Sequence, residues 1–521
     1  MSGLKAGKIP SVLVIVALVL SLTITLPAVV LADWSHDPST NTPVVTANNT
    51  QGSHRIISDG ECGFFAVWHD WRDRYISDWD IYAQRFDAEG NTLWGANGVP
   101  VCTADGKQER PKICLDGSGG CIMSWVDYRG SYARIYVQRL NGNGAAQWAS
   151  NGVLASQNFP DGDQNCTWIV SDGQGGAIVS WVGSNLGIYL QRLSSSGARL
   201  WGDYVTVSDT GKEWGLKLIP DGEGGTIITW VDQRGKTAND IYIQRVDSSG
   251  KELWGAGDVT VCNATHDQYC PRIIPTSDGA IVSWSDDRDV STDQIFAQKI
   301  SGSGVPQWTD DGVSIFPAHL ARYGNGIASD DADGAIITGR GPDYNLYTRR
   351  IGSNGNLLWG APTQITDTYD VPKLTSSPRK MVEDGQSGVI VVWTNDRFEV
   401  YAQRIDGSGN TLWTDNGVLL CDAPEDRDCP RLAACEQDNA TGALAYWKDM
   451  RNDTTTGQDI YMQGIDVDGN LARPCPALPS PPVGGEAYPV SRPAVLAPWI
   501  ALAMAIAIGG FLFMRRRSAR G

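Results

Sequence analysis

The sequence is poor in the residues that most catalytic sites need. It has five histidines, and none of them belongs to an HExxH motif or a close pair, so a zinc hydrolase has little support. No CxxC, G-x-S-x-G or P-loop sequence occurs, which disfavours a zinc ribbon, a hydrolase nucleophile and a nucleotide-binding loop. Charged residues are only 19% of the chain, and the net charge of −17 disfavours nucleic acid, because an acidic surface repels phosphate.

Glycine and tryptophan are abundant, and they recur in a repeated phrase. The stretch "DGEGGTIITWVDQRGKTANDIYIQRVDSSGKELW" (221–254) returns with changes as "DGAIVSWSDDRDVSTDQIFAQKISGSGVPQW" (278–308). The period is about 54 residues, as in repeat architectures. A first tryptophan ends each "IVSW" segment, with Gly339 in its place in the sixth unit: Trp68, Trp125, Trp181, Trp230, Trp284, Trp393 and Trp447. A second tryptophan, in "LW", occurs seven times: Trp94, Trp148, Trp201, Trp254, Trp308, Trp359 and Trp413.

Each unit contains four strand-like segments separated by Asp-Gly and Gly-Gly turns. "AIVSW" is apolar on both faces, which is typical of a strand sandwiched between neighbouring sheets. The pattern predicts an all-β fold, an eight-bladed β-propeller of four-stranded blades over residues 40–471. The last unit stops where its final strand should begin, so we expect residues 42–48 to supply that strand and close the ring.

Five units also carry an Asp and an Arg two residues apart after the first tryptophan, in the pattern WxDxR: Asp70/Arg72, Asp127/Arg129, Asp232/Arg234, Asp286/Arg288 and Asp449/Arg451. A feature shared by most blades is expected to be structural. A functional role would require a ring of arginines at one mouth of the channel, where it would bind an anion.

Both ends of the chain carry membrane signals. Residues 1–32 have the lysines, apolar run and small residues of a signal peptide. Residues 494–514 are uncharged and long enough for a transmembrane helix, and the basic tail 515–521 is expected to be cytoplasmic. Residues 474–493 are Pro-rich and predict a stiff linker. The propeller is therefore expected to be exported and extracellular, on a single-pass membrane protein.

Eleven cysteines agree with an oxidising compartment. Matched spacings predict local bridges between Cys262 and Cys270 and between Cys421 and Cys429, and the pair that flanks the turn "LDGSGG" predicts a hairpin bridge. That last pair is Cys114 and Cys121. The odd total leaves at least one thiol unpaired within a monomer.

Two local patterns suggest ligand sites. Asp161, Asp163 and Asn165 have the 1-3-5 oxygen spacing of a calcium loop, but the glycine and closing glutamate are missing; Asp330, Asp331 and Asp333 form a second acidic cluster. In the first unit, "HDWRDRYISDWD" adds three aromatic residues among carboxylates, which would suit a sugar or protein ligand. These are Trp71, Tyr75 and Trp79. Solvated turns and drift of the repeat are the alternative interpretations.

The phrase "DGxGGxIVSWxDxR…DIYxQRxDxxGxxLW" resembles the repeats of secreted bacterial and archaeal propeller proteins, over nearly all of residues 40–471. "QRVDSSGKELW" (244–254) is similar to the tryptophan-docking motif of eight-bladed quinoprotein dehydrogenases, although Asp to Gly is one residue short and no adjacent cysteine pair occurs. The C-terminal tail resembles the anchoring signals of prokaryotic surface proteins.

Together these observations predict a cell-surface recognition or scaffold module for an extracellular glycan or protein, with no cofactor expected except for the calcium that residues 161–165 could bind. The alternative is a secreted enzyme, either a glycan hydrolase or lyase or a quinone-dependent oxidoreductase; a structural envelope component is a third reading. Non-repeated carboxylates, Tyr or His at one mouth of the channel would favour the enzyme, and repeated residues there would favour the binder.

Overall fold

The repeats fold into eight four-stranded antiparallel sheets around a central channel. The computed structural model describes residues 34–475 except 74–77, 235–237, 256, 290–292, 318–322, 344, 367–380, 396, 436–441 and 456. The first strands of successive sheets contact one another around the channel and are therefore innermost. The predicted all-β, eight-bladed propeller of four-stranded blades is confirmed.

The strands are numbered in chain order, and each blade takes one from each of four sets. The innermost strands are β2 (Gln51–Ser58), β6 (Gln108–Leu115), β10 (Gln164–Ser171), β14 (Trp214–Pro220), β18 (Gln268–Thr276), β22 (Tyr323–Ser329), β26 (Met381–Glu383) and β30 (Arg427–Ala434). The second strands are β3 (Phe64–Asp70), β7 (Cys121–Asp127), β11 (Ala177–Gly183), β15 (Thr226–Asp232), β19 (Gly279–Asp286), β23 (Ala335–Arg340), β27 (Val389–Thr394) and β31 (Ala443–Asp449). The third strands are β4 (Asp80–Phe86), β8 (Arg134–Leu140), β12 (Ile188–Leu193), β16 (Asp240–Val246), β20 (Gln294–Ile300), β24 (Leu346–Ile351), β28 (Val400–Ile405) and β32 (Asp459–Ile465). The outermost strands are β5 (Val99–Cys102), β9 (Val153–Leu154), β13 (Val205–Ser208), β17 (Val259–Cys262), β21 (Val313–Ser314), β25 (Thr363–Gln364), β29 (Val418–Cys421) and, in the last blade, β1 (Thr42–Val45).

The N-terminal segment closes the ring, as the sequence predicts. Strand β1 pairs antiparallel with β32, with Thr42 opposite Met462. Just before β1, the indole of Trp34 is 1% exposed and donates a hydrogen bond to the carbonyl of Ala88 in the first blade at 2.9 Å. Gly90 has a φ of +82°, and a Cβ atom on it would lie only 3.2 Å from this indole, so the turn there needs glycine. Trp34 thus supplies the eighth tryptophan of the "LW" set, which the sequence shows only seven times.

The "LW" tryptophans link each blade to the next. Their indole N–H groups donate to backbone carbonyls of the following blade at 2.9–3.1 Å: Trp94 to Gly142, Trp148 to Ser195, Trp201 to Ser248, Trp254 to Gly302, Trp308 to Ser353, Trp359 to Gly407 and Trp413 to Val467. Each of these seven indoles is thus satisfied by the neighbouring blade, and the same contact recurs around the ring.

The WxDxR residues are structural, as expected from their repetition. In the second blade, the indole of Trp125 donates to Asp127 at 2.8 Å, and Arg129 donates to the same carboxylate at 2.6 Å. The guanidinium lies 3.8 Å from the ring centre of Tyr136 and donates to the carbonyl of Asn151. These arginines therefore tie second strands to the outer part of the blade, and they do not form a ring at the channel mouth.

Replacing Asp127 by alanine is expected to lower the free energy of unfolding by about 3 kcal/mol, because the Trp125 indole and the Arg129 guanidinium both lose a buried acceptor. The midpoint of guanidinium-induced unfolding, followed by circular dichroism, measures the loss. The exposed Asp105→Ala is the control, and equal midpoints for the two variants would contradict the assigned role.

The predicted local disulfides are wrong. Cys262 ends an outermost strand while Cys270 lies on the innermost strand of the next blade, so the short segment between them crosses the whole blade. The thiol of Cys262 instead accepts a hydrogen bond from Arg288 at 3.3 Å, and the thiol of Cys421 accepts one from Arg451. Cys421 is thus not bridged to residue 429, which is likewise on the next innermost strand.

The predicted hairpin bridge between Cys114 and Cys121 is also absent, for a different reason. Cys121 pairs with Leu115 across β6 and β7, so the side chain of Cys114 points to the opposite face of the sheet. The structure has a disulfide between Cys435 and Cys475.

The predicted signal peptide, transmembrane helix 494–514 and tail 515–521 lie outside the described residues, as does the linker beyond residue 475. Within the described part of the chain, no helix has the length and hydrophobicity to cross a membrane.

Candidate anion-binding channel

A layer of basic side chains lines the central channel. In six innermost strands, the pairing with the second strand shifts register. The first residue after the shift pairs with the residue of the second strand that precedes the repeated tryptophan. These pairs are Arg55 with Val67, Lys112 with Ser124, Trp168 with Ser180, Lys217 with Thr229, Arg272 with Ser283 and Arg431 with Tyr446. Equivalent register in equivalent strands puts the six side chains at one level. We call the five Arg and Lys residues of this set, together with Trp168, the cation layer.

Two cavities show that the cation layer faces the channel. The first, of about 520 Å³, is lined by innermost strands of seven blades and includes Trp168, Lys217 and Arg272. The second, of about 370 Å³, lies between the innermost strands of the last, first and second blades. Six of its seven lining residues are basic: His54, Arg55, Arg110, Lys112, Arg431 and Lys448. The chain as a whole has a net charge of −17, so this cavity has the opposite sign of charge from the rest of the protein.

The basic groups are crowded together and repel one another. Burial, and next the charge of Arg272, lower the pKa of Lys217 to about 7. Burial also holds the pKa of Lys112 well below its ordinary value, and Arg55 and Arg431 add to the effect. His54 shows the same pattern, since burial and then Arg431 lower its pKa. Because each cation disfavours the charged form of the others, the layer is electrostatically strained without an anion.

The contacts of these lysines leave their charge uncompensated. The ammonium of Lys112 reaches only the carbonyl of Arg110 at 3.3 Å, and that of Lys217 reaches the carbonyls of Gly215 and Leu216. Among the described residues, neither lysine nor Arg272 forms a salt bridge with a carboxylate. Carbonyl dipoles satisfy hydrogen bonds but supply no full negative charge.

Trp168 occupies the same layer and adds an aromatic surface. The ammonium of Lys217 lies 4.9 Å from the centre of its ring, and that of Lys112 lies 5.6 Å from it. The half-buried indole therefore holds both lysines beside the channel by cation–π attraction. An anion that also carries an apolar ring face would contact both kinds of group.

The layer lies about midway along the innermost strands, as Arg55 does in β2 (Gln51–Ser58) and Lys217 in β14 (Trp214–Pro220). The innermost strands begin, and the second strands end, on the face that carries the connections between blades. Apolar residues follow the cation layer one step further along the channel, as with Ile57, Ile219 and Ile274. Ligands entering from the connection face would thus meet the charge before the apolar section.

Two of the aromatic candidates come together on the same face. Trp71 and Trp79 stack with ring centres 5.3 Å apart and planes 7° from parallel. The ring of Trp79 also lies 4.1 Å from that of His69, whose pKa burial lowers to about 4. Tyr75 lies outside the described residues. The binding role of this pair stays a prediction.

The calcium candidates are not brought into an evident cage. Asp163 accepts a hydrogen bond from the backbone N–H of Ala133 in the neighbouring blade at 2.8 Å, Asp161 is exposed, and Asn165 belongs to β10. In the second acidic cluster, Asp330 binds the guanidinium of Arg350 at 2.8 Å. Calcium binding at residues 161–165 stays a prediction.

The third unit, which lacks the Asp and Arg of WxDxR, fills their place with aromatic side chains. Phe159, from the preceding connection, packs edge-on against Tyr189 with ring centres 4.9 Å apart and also contacts Trp181 and Tyr204. In other blades an arginine lies over the equivalent tyrosine. This departure from the repeat is therefore explained by packing.

The cation layer was not found from the sequence, although a signal exists. The basic residue always stands just before the short apolar segment, as in "HRII", "PKIC", "LKLI", "PRII" and "PRLA". Only the fold shows that this segment is innermost and that its residue faces the channel.

No model of a protein family and no curated protein matches the chain. Among solved structures, it is similar to a lectin from Burkholderia pseudomallei, with 12% identity, a TM-score of 0.45, and coverage of 72% of this chain and 100% of that one. It is also similar to a periplasmic gluconolactonase of Pseudomonas aeruginosa (16%, 0.38, 66% and 93%). A third is an α-L-arabinofuranosidase from Fusarium graminearum (13%, 0.34, 60% and 96%). These are distant likenesses of fold.

Proposed function

We propose that the protein is an exported, membrane-anchored recognition module that binds a polyanionic ligand in its central channel. The observation that carries this proposal is the cation layer: five Arg and Lys side chains converge on the channel of a chain with net charge −17. The layer is built from equivalent positions of repeated units, which is the arrangement expected of a binder.

The chemistry of the layer points to a ligand with several negative charges. Desolvated cations are costly unless paired, and a bound anion would relieve the mutual repulsion that lowers the lysine pKa values. Arginine offers a planar fork for carboxylate, sulfate or phosphate oxygens. A channel with low-dielectric walls also focuses the field and raises the local concentration of anions.

An acidic glycan fits the layer better than an acidic peptide. Trp168 presents an aromatic surface between Lys112 and Lys217, and sugar rings present apolar faces that stack on such surfaces while their acidic groups meet the cations. The proposed ligand class is therefore an extracellular polysaccharide that carries carboxylate or sulfate groups.

The proposed location has independent support from the disulfide. Cys435 and Cys475 are bonded, and structural disulfides persist in oxidising compartments outside the cytoplasm. Export through residues 1–32 and anchoring through residues 494–514 complete the proposal.

No specific observation favours the enzyme alternative. Glycoside hydrolysis uses two carboxyl groups across the scissile bond. Among the described residues that line the first cavity, Glu383 is the only carboxylate, and it accepts a hydrogen bond from the backbone N–H of Ser329 at 3.1 Å.

Binding to defined polymers tests the proposal. With the full-length protein in detergent, we expect polygalacturonate and dextran sulfate to bind and neutral dextran to remain unbound, as measured by isothermal titration calorimetry. Stronger binding of polyglutamate than of either glycan would replace the glycan by an acidic protein. Equal binding of dextran, or no binding of any polyanion, would contradict the proposal.

Binding should weaken as the pH rises. A lysine is charged below its pKa, so Lys217, with a pKa of about 7, is charged at pH 6 and largely neutral at pH 9. We expect affinity for dextran sulfate, whose charge is constant over this range, to fall roughly tenfold between these pH values, with proton uptake on binding.

The variant Lys217→Arg keeps its charge throughout this range, and it should flatten the pH profile while retaining binding. An unchanged affinity of the original protein between pH 6 and pH 9 would count against the role of Lys217.

A further inference from the structure

Three cysteines distant in sequence meet where the ring closes. The sulfur atoms of Cys62, Cys435 and Cys475 all lie within 4.8 Å of one another. Cys435 and Cys475, which are 40 positions apart in sequence, form the disulfide, and Cys62 has its thiol. All three are buried, at 1%, 5% and 0% exposure, in a small cluster of their own. We call them the cysteine triad.

The triad joins three separate parts of the chain. Cys62 lies in the turn between β2 and β3 of the first blade, and Cys435 directly follows β30, the innermost strand of the last blade. Cys475 comes just after residue 471, whose bridge to Ile465 ends the paired structure of the last blade. The disulfide joins the innermost strand of the last blade to Cys475. The sulfur of Cys62 belongs to the first blade, which is the blade that the last one meets when the ring closes.

We propose that the cysteine triad is a thiol–disulfide exchange site, through which the disulfide moves between the last blade and the first. The Cys62 thiolate attacks the sulfur of Cys475, a Cys62–Cys475 bond forms, and the Cys435–Cys475 bond breaks. The electron pair leaves on Cys435, which takes up a proton. Attack on Cys435 gives a Cys62–Cys435 bond and leaves the thiol on Cys475. Each step conserves one disulfide and one thiol, so no external oxidant or reductant is needed.

The surroundings set the conditions for exchange. Burial raises the pKa of the Cys62 thiol, and the neighbouring charge of Arg473 partly offsets this. Since only the thiolate attacks, exchange should be slow near neutral pH and faster in alkaline solution. The Cys62–Cys435 form would close the ring covalently, whereas the form in the structure leaves closure to β1 and Trp34.

Disulfide mapping of the full-length protein tests the exchange. The protein is incubated at pH 9, quenched with acid, alkylated and digested under non-reducing conditions for mass spectrometry. We expect at least a tenth of the molecules to carry a disulfide that includes Cys62. Bonds to Cys114, Cys121 or Cys270, which are remote from the triad, should not form; their appearance would indicate scrambling through unfolding and would contradict exchange in the folded protein.

Single substitutions separate the two products. Cys475→Ser should yield the Cys62–Cys435 bond and Cys435→Ser the Cys62–Cys475 bond, while Cys62→Ser should keep the original bond at every pH. Cys102→Ser, a buried cysteine elsewhere in the first blade, is the matched control and should exchange normally. The proposal is overturned if Cys62 stays fully alkylatable in the wild-type protein after incubation at pH 9. That measurement stands even where a variant fails to fold.

Discussion

Replacing both Lys217 and Arg272 by glutamate is expected to abolish polyanion binding, with at least about a hundredfold loss of affinity. The reason is electrostatic: two of the five cations become carboxylates, and placing like charges opposite the anionic groups of the ligand costs several kcal/mol. The two introduced carboxylates would then pair with two of the three remaining cations and leave only one for the ligand. Calorimetry with dextran sulfate and polygalacturonate measures the loss.

The chain offers a control of identical charge. Lys212→Glu with Lys251→Glu changes the net charge by the same amount at two exposed positions in and beside the blade that contains Lys217. This variant should bind within about twofold of the original protein at physiological salt, where exposed charges are screened over roughly 8 Å. If both double variants lost binding equally, overall charge rather than the channel would govern affinity.

The charges that favour ligand binding should lower the stability of the ligand-free protein, so removing one of them should raise it. Since burial and neighbouring cations disfavour the charged form of Lys112, Lys112→Met should raise the melting temperature while weakening polyanion binding. A variant that is both less stable and still able to bind would contradict the view of a strained cation layer.

Replacing Trp34 by alanine is expected to lower the free energy of unfolding by about 3–5 kcal/mol, the usual cost of deleting a buried tryptophan. The variant loses the indole contact with Gly90 and the hydrogen bond to Ala88, which join the last blade to the first. The midpoint of guanidinium-induced unfolding by circular dichroism measures the loss. Hydrogen exchange should also increase in β1 and β32, because their pairing completes the same blade.

The matched control is Trp214→Ala, at a tryptophan that is 42% exposed, and it should change stability by less than about 0.5 kcal/mol. A similar midpoint for the two variants would show that closure does not depend on Trp34.

The sequence was sufficient to predict the ring but not the contents of its channel. The repeated tryptophans and the incomplete last unit require neighbours on both sides, and this leads to eight blades closed by residues 42–48. The role of Trp34 could not be predicted from the sequence, because this tryptophan stands outside any "LW" pair. Its role depends on β1 folding back onto β32, which places residue 34 beside the first blade.

The cation layer and the cysteine triad could not be predicted because both are assembled between blades. Arg55 and Arg431 are more than 370 residues apart in sequence, yet closure places them in one cavity. Likewise, the matched cysteine spacings suggested bridges, whereas Cys102, Cys262 and Cys421 share a contact with the arginine of the following blade. Recurrence in the sequence indicated a common environment, and only the fold showed which one.

The disulfide between Cys435 and Cys475 also determines how the protein would bear mechanical load. The bond connects Cys475, which follows the last paired residue of the last blade, to Cys435 at the end of an innermost strand. If residues 494–514 anchor the protein, as proposed, a pull on that anchor would pass through the bond into the innermost strand of the last blade and would spare the hydrogen bonds between β32 and β1. If Cys475 were bonded to Cys62 instead, the same force would be carried by the first blade, and β1, the outer strand that closes the ring, would remain unloaded in both cases.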